Sequence, residues 1–102
     1  MVHFNYSHLT RSKKLEDFIE SSLATIITND VPVSSVYCFL SRAFDHRDRL
    51  KSTLKMQVRL ESSDSFVLEK SAGNFKSAYK QMAEELQYMF KKSDPDQALA
   101  SA

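Results

Sequence analysis

The sequence predicts an α+β fold in which two amphipathic helices pack on one face of a four-stranded sheet. Three observations predict it. Residues 74–92 have one apolar stripe at helical spacing, and residues 13–28 have a second such stripe. Four further segments have the alternation or the β-branched composition of strands, and the order is β-α-β-β-β-α. Because each helix has one stripe to bury and the sheet has an apolar face to receive it, a two-layer sandwich follows.

The first predicted strand and helix occupy the N-terminal part of the chain. Residues 2–7 alternate between apolar and polar side chains, which is the period of a half-buried strand. Ser12 is suited to cap the helix predicted over 13–28, because its hydroxyl oxygen can accept from a free amide of the first turn. Pro32 cannot continue that helix. The apolar stripe of the helix consists of Leu15, Phe18, Ile19, Leu23, Ile26 and Ile27.

A second strand is predicted over residues 33–43, which are rich in β-branched and aromatic side chains. Both faces of this segment are apolar. The pattern therefore fits a central strand covered on both sides, and it fits equally a strand that exposes Tyr37 and Phe39 on an outer face. The segment 44–51 is polar and charged, and it is predicted to form a loop.

The cleanest alternation in the chain lies in residues 54–60, and it predicts a strand that is buried on one side only. After a turn, residues 65–71 predict a short last strand with Phe66 and Leu68 toward the core. Three consecutive strands joined by short connections form an antiparallel meander. The first strand of the chain is expected to pair within the same sheet.

The last predicted helix begins after Asn74, whose side-chain oxygen is a good N-cap acceptor. Its stripe consists of Phe75, Ala78, Tyr79, Met82, Leu86 and Phe90. Pro95 ends the helix, because proline disfavours helical backbone at the residue before it. We therefore expect one domain over residues 1–92 and a short disordered tail over 93–102.

Composition narrows the class of protein. The chain has 102 residues, enough for one domain with a single core. Its one cysteine, Cys38, cannot form an internal disulfide, which fits a reducing compartment. The sequence contains no run of 18 apolar residues, so no transmembrane helix is predicted. Its N-terminus lacks the long apolar region of a secretory signal, so secretion is not expected. A cytoplasmic protein without membrane contact is expected.

The residue pattern does not favour catalysis or a bound cofactor. His3, His8 and His46 lack the spacing of metal ligands, and one cysteine does not complete a site. Gly73 is the only glycine, so no glycine-rich phosphate loop is possible. No serine has the surroundings of a nucleophile elbow. We expect a protein that is not an enzyme and that has no metal, cofactor or small-molecule substrate.

Two segments carry a family resemblance. The first helix has an apolar residue, then an aromatic–aliphatic pair, then a leucine, which here are Leu15, Phe18-Ile19 and Leu23. Asn74, Phe75 and Ala78 fit a typical run, Asp-Met-Tyr-x-Ala-Ile-Asp, that leads into a last helix. In both respects the chain resembles the ribosome hibernation-promoting factor family, which includes the ribosome-associated inhibitors. The resemblance covers roughly residues 2–92 and is to a divergent short form without the long-form dimerisation domain.

This resemblance implies a function. Proteins of the family bind the RNA of the small ribosomal subunit, occlude the mRNA and tRNA channel and so inhibit translation under stress. For this chain it implies a cytoplasmic partner, the small ribosomal subunit, and a monomer when free. The implied mechanism is steric and electrostatic, with lysines and arginines that contact rRNA phosphates.

Basic residues are concentrated in one part of the chain. The net charge is +1, but the window 42–59 has six basic residues against Asp45 and Asp48, so it sums to +4 and the rest to −3. Arginine pairs bidentately with phosphate, and such contacts supply most sequence-independent affinity for nucleic acid. A smaller basic spot, consisting of Arg11, Lys13 and Lys14, precedes the first helix. With the lysines of the last helix, the predicted RNA-binding residues are Arg42, Arg47, Arg49, Lys51, Lys55, Arg59, Lys76, Lys80, Lys91 and Lys92.

Two alternatives stay open. The resemblance implies basic residues along both helices, whereas this chain has Ser22, Thr25, Glu85 and Tyr88 there. That difference and the near-neutral net charge favour a diverged family member that acts as a protein-binding module. The second alternative is a double-stranded-RNA-binding-like domain, which also packs helices on a sheet and has a basic last helix. The extra first strand argues against it.

Overall fold

The structure, a computed structural model, describes residues 2–27 and 32–92, and for Lys91 and Lys92 it describes the backbone alone. The tail expected over 93–102 lies outside the described residues. Six elements follow one another along the chain: β1 (Val2–Ser7), α1 (Lys13–Ile26), β2 (Val33–Phe44), β3 (Leu50–Leu60), β4 (Ser65–Ala72) and α2 (Phe75–Lys92). The predicted α+β class and element order are confirmed.

The four strands form one mixed sheet in the order β1-β2-β3-β4. β2, β3 and β4 are an antiparallel meander, as predicted. β1 pairs with β2 in parallel, with Val2 opposite Val36 and Ser7 opposite Ser41. A parallel pair requires a crossover connection between its strands, and α1 provides it.

One face of the sheet and the two helix stripes enclose a single core. On this face the alternate residues from Val36 to Leu40 of β2 and from Ser52 to Val58 of β3 are at most 1% exposed, and the stripes of both helices cover them. The largest fully buried side chains are Tyr79, Ile19, Leu23, Leu40, Leu54, Met56, Met82 and Leu86. Phe90 is half-buried, and its ring meets that of Phe66 edge-on at 6.4 Å between centroids. Both predicted stripes are confirmed as core.

The predicted helix caps are present. Ser12 Oγ accepts from the Leu15 amide at 3.3 Å, and Asn74 Oδ1 accepts from the Ser77 amide at 2.8 Å. Each bond satisfies an amide that has no partner within its own helix. α1 ends at Ile26. Ile27, which the sequence assigned to the helix, is instead an extended C-cap residue whose amide donates to the Leu23 carbonyl at 2.7 Å, and residue 28 lies outside the described residues.

The predicted loop over 44–51 is wrong in its extent. β2 continues to Phe44 and β3 begins at Leu50, so these two residues pair and only 45–49 turn. The cause is a set of hydrogen bonds to Asp45, described below, which closes a tight turn. The polar composition of the segment reflects its exposure, not an absence of strand structure.

Candidate nucleic-acid interface

Strands β2 and β3 extend beyond the rest of the sheet as a hairpin. β1 pairs with β2 as far as Ser41, and the outermost β3 residue that pairs with β4 is Ser52. The hairpin arm, residues 43–51, therefore consists of two strands that pair with each other alone within the described sheet. Its paired apolar residues, Phe44 and Leu50, are 71% and 45% exposed. The arm is thus a narrow projection with both polar and apolar groups at its tip.

Asp45 shapes the turn at the tip of the hairpin arm. Its Oδ1 accepts from the backbone amides of Arg47 at 2.8 Å and Arg49 at 3.0 Å. Its own amide donates to the Arg49 carbonyl at 2.9 Å. Asp48 has a left-handed backbone with φ of 57°, which aspartate tolerates better than most residues. The turn therefore forms without glycine, and it fixes the backbone of both arginines while the residues themselves stay exposed.

Arg42 lies at the base of the hairpin arm, on the helix side of the sheet. Its Nε donates to Ser52 Oγ at 3.3 Å, and its guanidinium carbon is 5.0 Å from the centroid of the Phe75 ring at the start of α2. Cation–π attraction holds a guanidinium in such a position. Arg42 nevertheless stays exposed, so its charge is presented beside α2.

Lys51, Lys55 and Arg59 form a row on the sheet face away from the helices, the open face. They are every fourth residue of β3, so they point the same way at intervals of about 13 Å. All three are exposed, whereas the alternate residues Leu54 and Met56 are buried. The row leads from the hairpin arm across the open face.

Tyr37 and Phe39 also lie on the open face, which settles the alternative that the sequence left open. Tyr37 is half-buried, and its ring stacks on that of His3 at 4.8 Å between centroids with 16° between the planes. Phe39 is 37% exposed and pairs in register with Lys55. β2 is therefore a central strand with one covered face and one open face.

The helix side has a second set of basic residues. Lys76 and Lys80 are exposed on α2, and Lys76 Nζ is 5.0 Å from the centroid of the Phe18 ring on α1. The side chains of Lys91 and Lys92 lie outside the described part of the chain. The structure thus brings together five predicted residues on the hairpin arm and the open face: Arg47, Arg49, Lys51, Lys55 and Arg59. It separates from them, on the helix side, Arg42, Lys76 and Lys80.

In the described part of the chain, none of these eight side chains forms an ion pair with a carboxylate. The ion pairs between described residues involve other cations: Arg11 with Glu16, Lys13 with Asp17, and Lys70 with Glu85. Glu69 is opposite Lys55 in register, but within the described structure the two do not form an ion pair. The charges of the hairpin arm and the open face are therefore available to a polyanion.

The basic spot before α1 is different, and sequence reasoning missed the reason. Glu16 is only 5% exposed, and its carboxylate accepts from Arg11 Nε at 2.9 Å and Nη2 at 3.1 Å. The Tyr6 hydroxyl donates to the same carboxylate at 2.9 Å. The hydrogen bond from Arg11 is the main cause that lowers the pKa of Glu16, and burial raises the pKa of Tyr6. Arg11 precedes Glu16 by five residues and lies before the helix begins. Side-chain pairs within a helix are three or four residues apart, so helical spacing does not predict this ion pair.

Other kinds of site find no support in the described structure. Residues 2–27 and 32–92 contain no group of three or more His, Cys, Asp or Glu side chains that could hold a metal ion. Cys38 is fully buried, and burial raises the pKa of its thiol to about 12, so it is not a reactive nucleophile. Neither α1 nor α2 has the length and apolar character needed to cross a membrane.

The comparison with solved structures identifies proteins of the same fold. No family model matches the sequence, and no curated protein matches it. A solved ribosomal subunit interface protein from Coxiella burnetii superposes with a TM-score of 0.75 at 13% identity, over 90% of this chain and 94% of that one. The N-terminal domain of Protein Y from Thermus thermophilus superposes with a TM-score of 0.72 at 18% identity, over 90% and 96% of the two chains. At these identities the likeness establishes a shared fold.

Proposed function

We propose that this protein is a ribosome-associated factor that binds the RNA of the small subunit. One observation carries the proposal: the chain shares its whole fold with a ribosomal subunit interface protein, over at least 90% of both chains. The resemblance of its first and last helices to the hibernation-promoting factor family comes from sequence alone and supports the same class. The protein acts in the cytoplasm, is a monomer when free and performs no catalytic step.

The mechanism is steric and electrostatic. The sandwich occupies the mRNA and tRNA channel of the small subunit, as the family resemblance implies, and so inhibits translation. The hairpin arm supports this mechanism because it is narrow, and because Arg47, Arg49 and Lys51 form no ion pair with an acid among the described residues. Guanidinium groups bind phosphate bidentately, and a rigid turn offers them at little entropic cost. Lys55 and Arg59 extend the contact along the open face.

Sedimentation with purified ribosomal subunits tests this function. We expect the protein to move with small subunits at about 50 mM salt and to be released steeply as salt rises to about 200 mM, because phosphate contacts release counterions. Lys70→Ala is a matched control, since Lys70 already pairs with Glu85. Sedimentation with large subunits only, or at a level that salt does not change, would contradict the proposal.

Occlusion of the channel is tested separately. Bound protein is expected to compete with initiator tRNA for the small subunit, measured by retention of labelled tRNA on filters. If tRNA and this protein bind the same subunit together without loss of affinity, the occlusion mechanism is wrong although ribosome association stands.

Protein binding through the hairpin arm is a second candidate function, and one observation favours it. Phe44 and Leu50 expose apolar surface side by side at the tip of the hairpin arm, as a protein-docking segment would. If these apolar side chains dock on a protein of the ribosome and this contact holds the chain there, the double variant Phe44→Ser/Leu50→Ser should abolish association with ribosomes at every salt concentration. If RNA phosphates are the main contact, the same variant should bind nearly as the wild type does, with an unchanged salt dependence.

A further inference from the structure

The open face of the sheet has an arrangement that phosphate binding alone does not use. His3 and Tyr37, on the neighbouring strands β1 and β2, stack with 4.8 Å between ring centroids and 16° between planes. The two rings are nearly parallel, so they form a stack of two that runs across the neighbouring strands. β1 is the edge strand, so the His3 ring has no further strand beside it. A planar group can therefore continue the stack at the edge of the sheet.

Phe39 provides a second planar surface in the next row of the sheet. It is two residues along β2 from Tyr37, a separation of about 6.6 Å, and its side chain is 37% exposed. Asn5 of β1 is opposite Phe39 and is exposed, so an amide that can donate and accept lies beside the ring. Phe39 is thus accompanied by a group that can form a hydrogen bond to the edge of a base.

The cations of the open face lie on the other side of these rings. Lys55 of β3 pairs in register with Phe39, and Arg59 is diagonal to Tyr37 across the Tyr37–Gln57 pair. Among the paired strand residues of this face the one acid is Glu69, on the far strand β4. The rings therefore lie on β1 and β2, and the positive charges lie on β3. An RNA strand whose bases stack on the rings would have its phosphates beside the charges.

We infer that the open face binds single-stranded RNA, with bases stacked on the His3–Tyr37 pair and on Phe39 and phosphates at Lys55 and Arg59. Aromatic rings on the central strands of an open four-stranded sheet are a known means of holding two or three unpaired bases. A duplex does not satisfy this surface, because its bases are already stacked on each other. The inference rests on the proposed function in that it identifies the form of RNA that this protein contacts.

Fluorescence anisotropy with short labelled oligonucleotides tests the inference. We expect an unstructured single strand to bind more tightly than a blunt duplex of the same sequence. The variants Tyr37→Leu and Phe39→Leu remove a ring but keep apolar bulk, and each should weaken single-strand binding by roughly 5- to 150-fold. Val67→Ala is the matched control, because Val67 is exposed on the same face and strand β3 lies between it and the rings. It should bind as the wild type does.

A gain-of-affinity variant keeps the test independent of folding defects. Glu69→Gln removes the one acid among the paired strand residues of this face and should tighten single-strand binding by about 2- to 5-fold at low salt, and less at high salt. Circular dichroism and thermal melting of every variant exclude unfolding as the cause of a loss. Equal affinity for single strand and duplex, or unchanged affinity in both ring variants, would overturn the inference.

The outcomes separate this inference from the proposed function. If the wild type binds oligonucleotides through the rings but does not sediment with small subunits, the open-face inference holds and the ribosomal function is wrong. If the wild type sediments with small subunits and neither ring variant weakens oligonucleotide binding, the inference is wrong. If no single strand binds to the wild type at all, the inference is overturned as well.

Discussion

Two basic segments of this protein have the same number of cations and of acids, but their cations are engaged in opposite ways. In the spot before α1, Arg11 is bound through two nitrogens by the buried carboxylate of Glu16, and Lys13 Nζ is 3.5 Å from Asp17. In the hairpin arm, Arg47 and Arg49 have an aspartate close by in sequence, yet they form no ion pair within the described structure. A count of charges along the chain does not distinguish the two segments.

The difference lies in what each acid binds. Glu16 directs its carboxylate at the guanidinium group of Arg11, whereas Asp45 directs its carboxylate at the backbone amides of the turn. Asp45 therefore fixes the shape of the turn and leaves the arginine side chains to solvent. One segment uses its cation to stabilise the fold, and the other keeps its cations available to a partner.

The largest expected effect separates binding from stability. Replacing Arg47, Arg49 and Lys51 together by alanine should weaken association with small subunits by about 10- to 100-fold. The slope of log affinity against log salt concentration should fall by the equivalent of roughly two to three phosphate contacts. The midpoint of thermal unfolding should change little, because none of these side chains packs in the core. Sedimentation over a salt series and a melting curve measure the two quantities.

The N-terminal counterpart of that variant should behave in the opposite way. Arg11→Ala is expected to lower the melting temperature, because it leaves the buried Glu16 carboxylate without its main partner. Association with small subunits should stay at the wild-type level once the protein is folded. A loss of ribosome binding as large as that of the arm variant would show that the two segments are functionally alike.

Glu16→Gln tests the buried carboxylate directly. The amide keeps the shape of the side chain but loses the charge that Arg11 requires, so the free energy of unfolding should fall by about 1–3 kcal/mol. Denaturation in urea measures this change. Asp17→Asn is the control, because the Lys13–Asp17 pair is exposed and contributes little, so its loss should change stability by less than about 0.5 kcal/mol.

The same carboxylate predicts a pH dependence. Because the pKa of Glu16 is lower in the folded protein than its ordinary value of 4.5, its contribution to stability is full above that value. The contribution is lost as the pH falls through the folded pKa, where the carboxylate takes up a proton. The stability difference between wild type and Glu16→Gln should therefore be largest near pH 7 and should shrink as the pH falls below 4.5. A difference that is constant over this range would contradict the assignment.

The smallest expected effect concerns the acid of the hairpin arm. Asp45→Asn keeps an oxygen that can accept from the Arg47 and Arg49 amides, but it removes a negative charge beside their side chains. Binding to small subunits should tighten by about 2- to 5-fold at low salt, while stability changes by less than about 1 kcal/mol. Weaker binding with an intact fold would mean that the Asp45 charge is itself part of the contact.

The sequence predicted most of the fold because the signals for it are local. Both helix stripes recur at the helical period, and the caps at Ser12 and Asn74 need only residues three positions away. The length of the hairpin arm could not be predicted, because the bonds of Asp45 to its own turn outweigh the polar composition there. The face of Tyr37 and Phe39 could not be predicted either, since both sides of β2 are apolar and only the packing of the helices distinguishes them.

The candidate site was predictable in composition but not in arrangement. Strand alternation predicts that Lys55 and Arg59 share one face, and the structure has them there. Lys51 lies in the segment predicted as a loop, and it joins their face only because β3 begins at Leu50. Arg42 lies on the helix side of the sheet, opposite to that row. Its side follows from its pairing with Ser52, and only the hairpin register reveals this pairing. The Arg11–Glu16 pair depends on the path of the chain before α1, for which the sequence has no periodic signal.

Site-specific photo-crosslinking tests the central contrast most directly. A photoreactive phenylalanine analogue replaces His46, which is exposed at the tip of the hairpin arm, and in a second variant it replaces Lys13 in the spot before α1. Both proteins are irradiated on small subunits at low salt, and the crosslinked RNA is mapped. Crosslinks to small-subunit rRNA are expected from position 46, with a much weaker yield from position 13. A strong rRNA crosslink from position 13 with none from position 46 would contradict the contrast between the two segments.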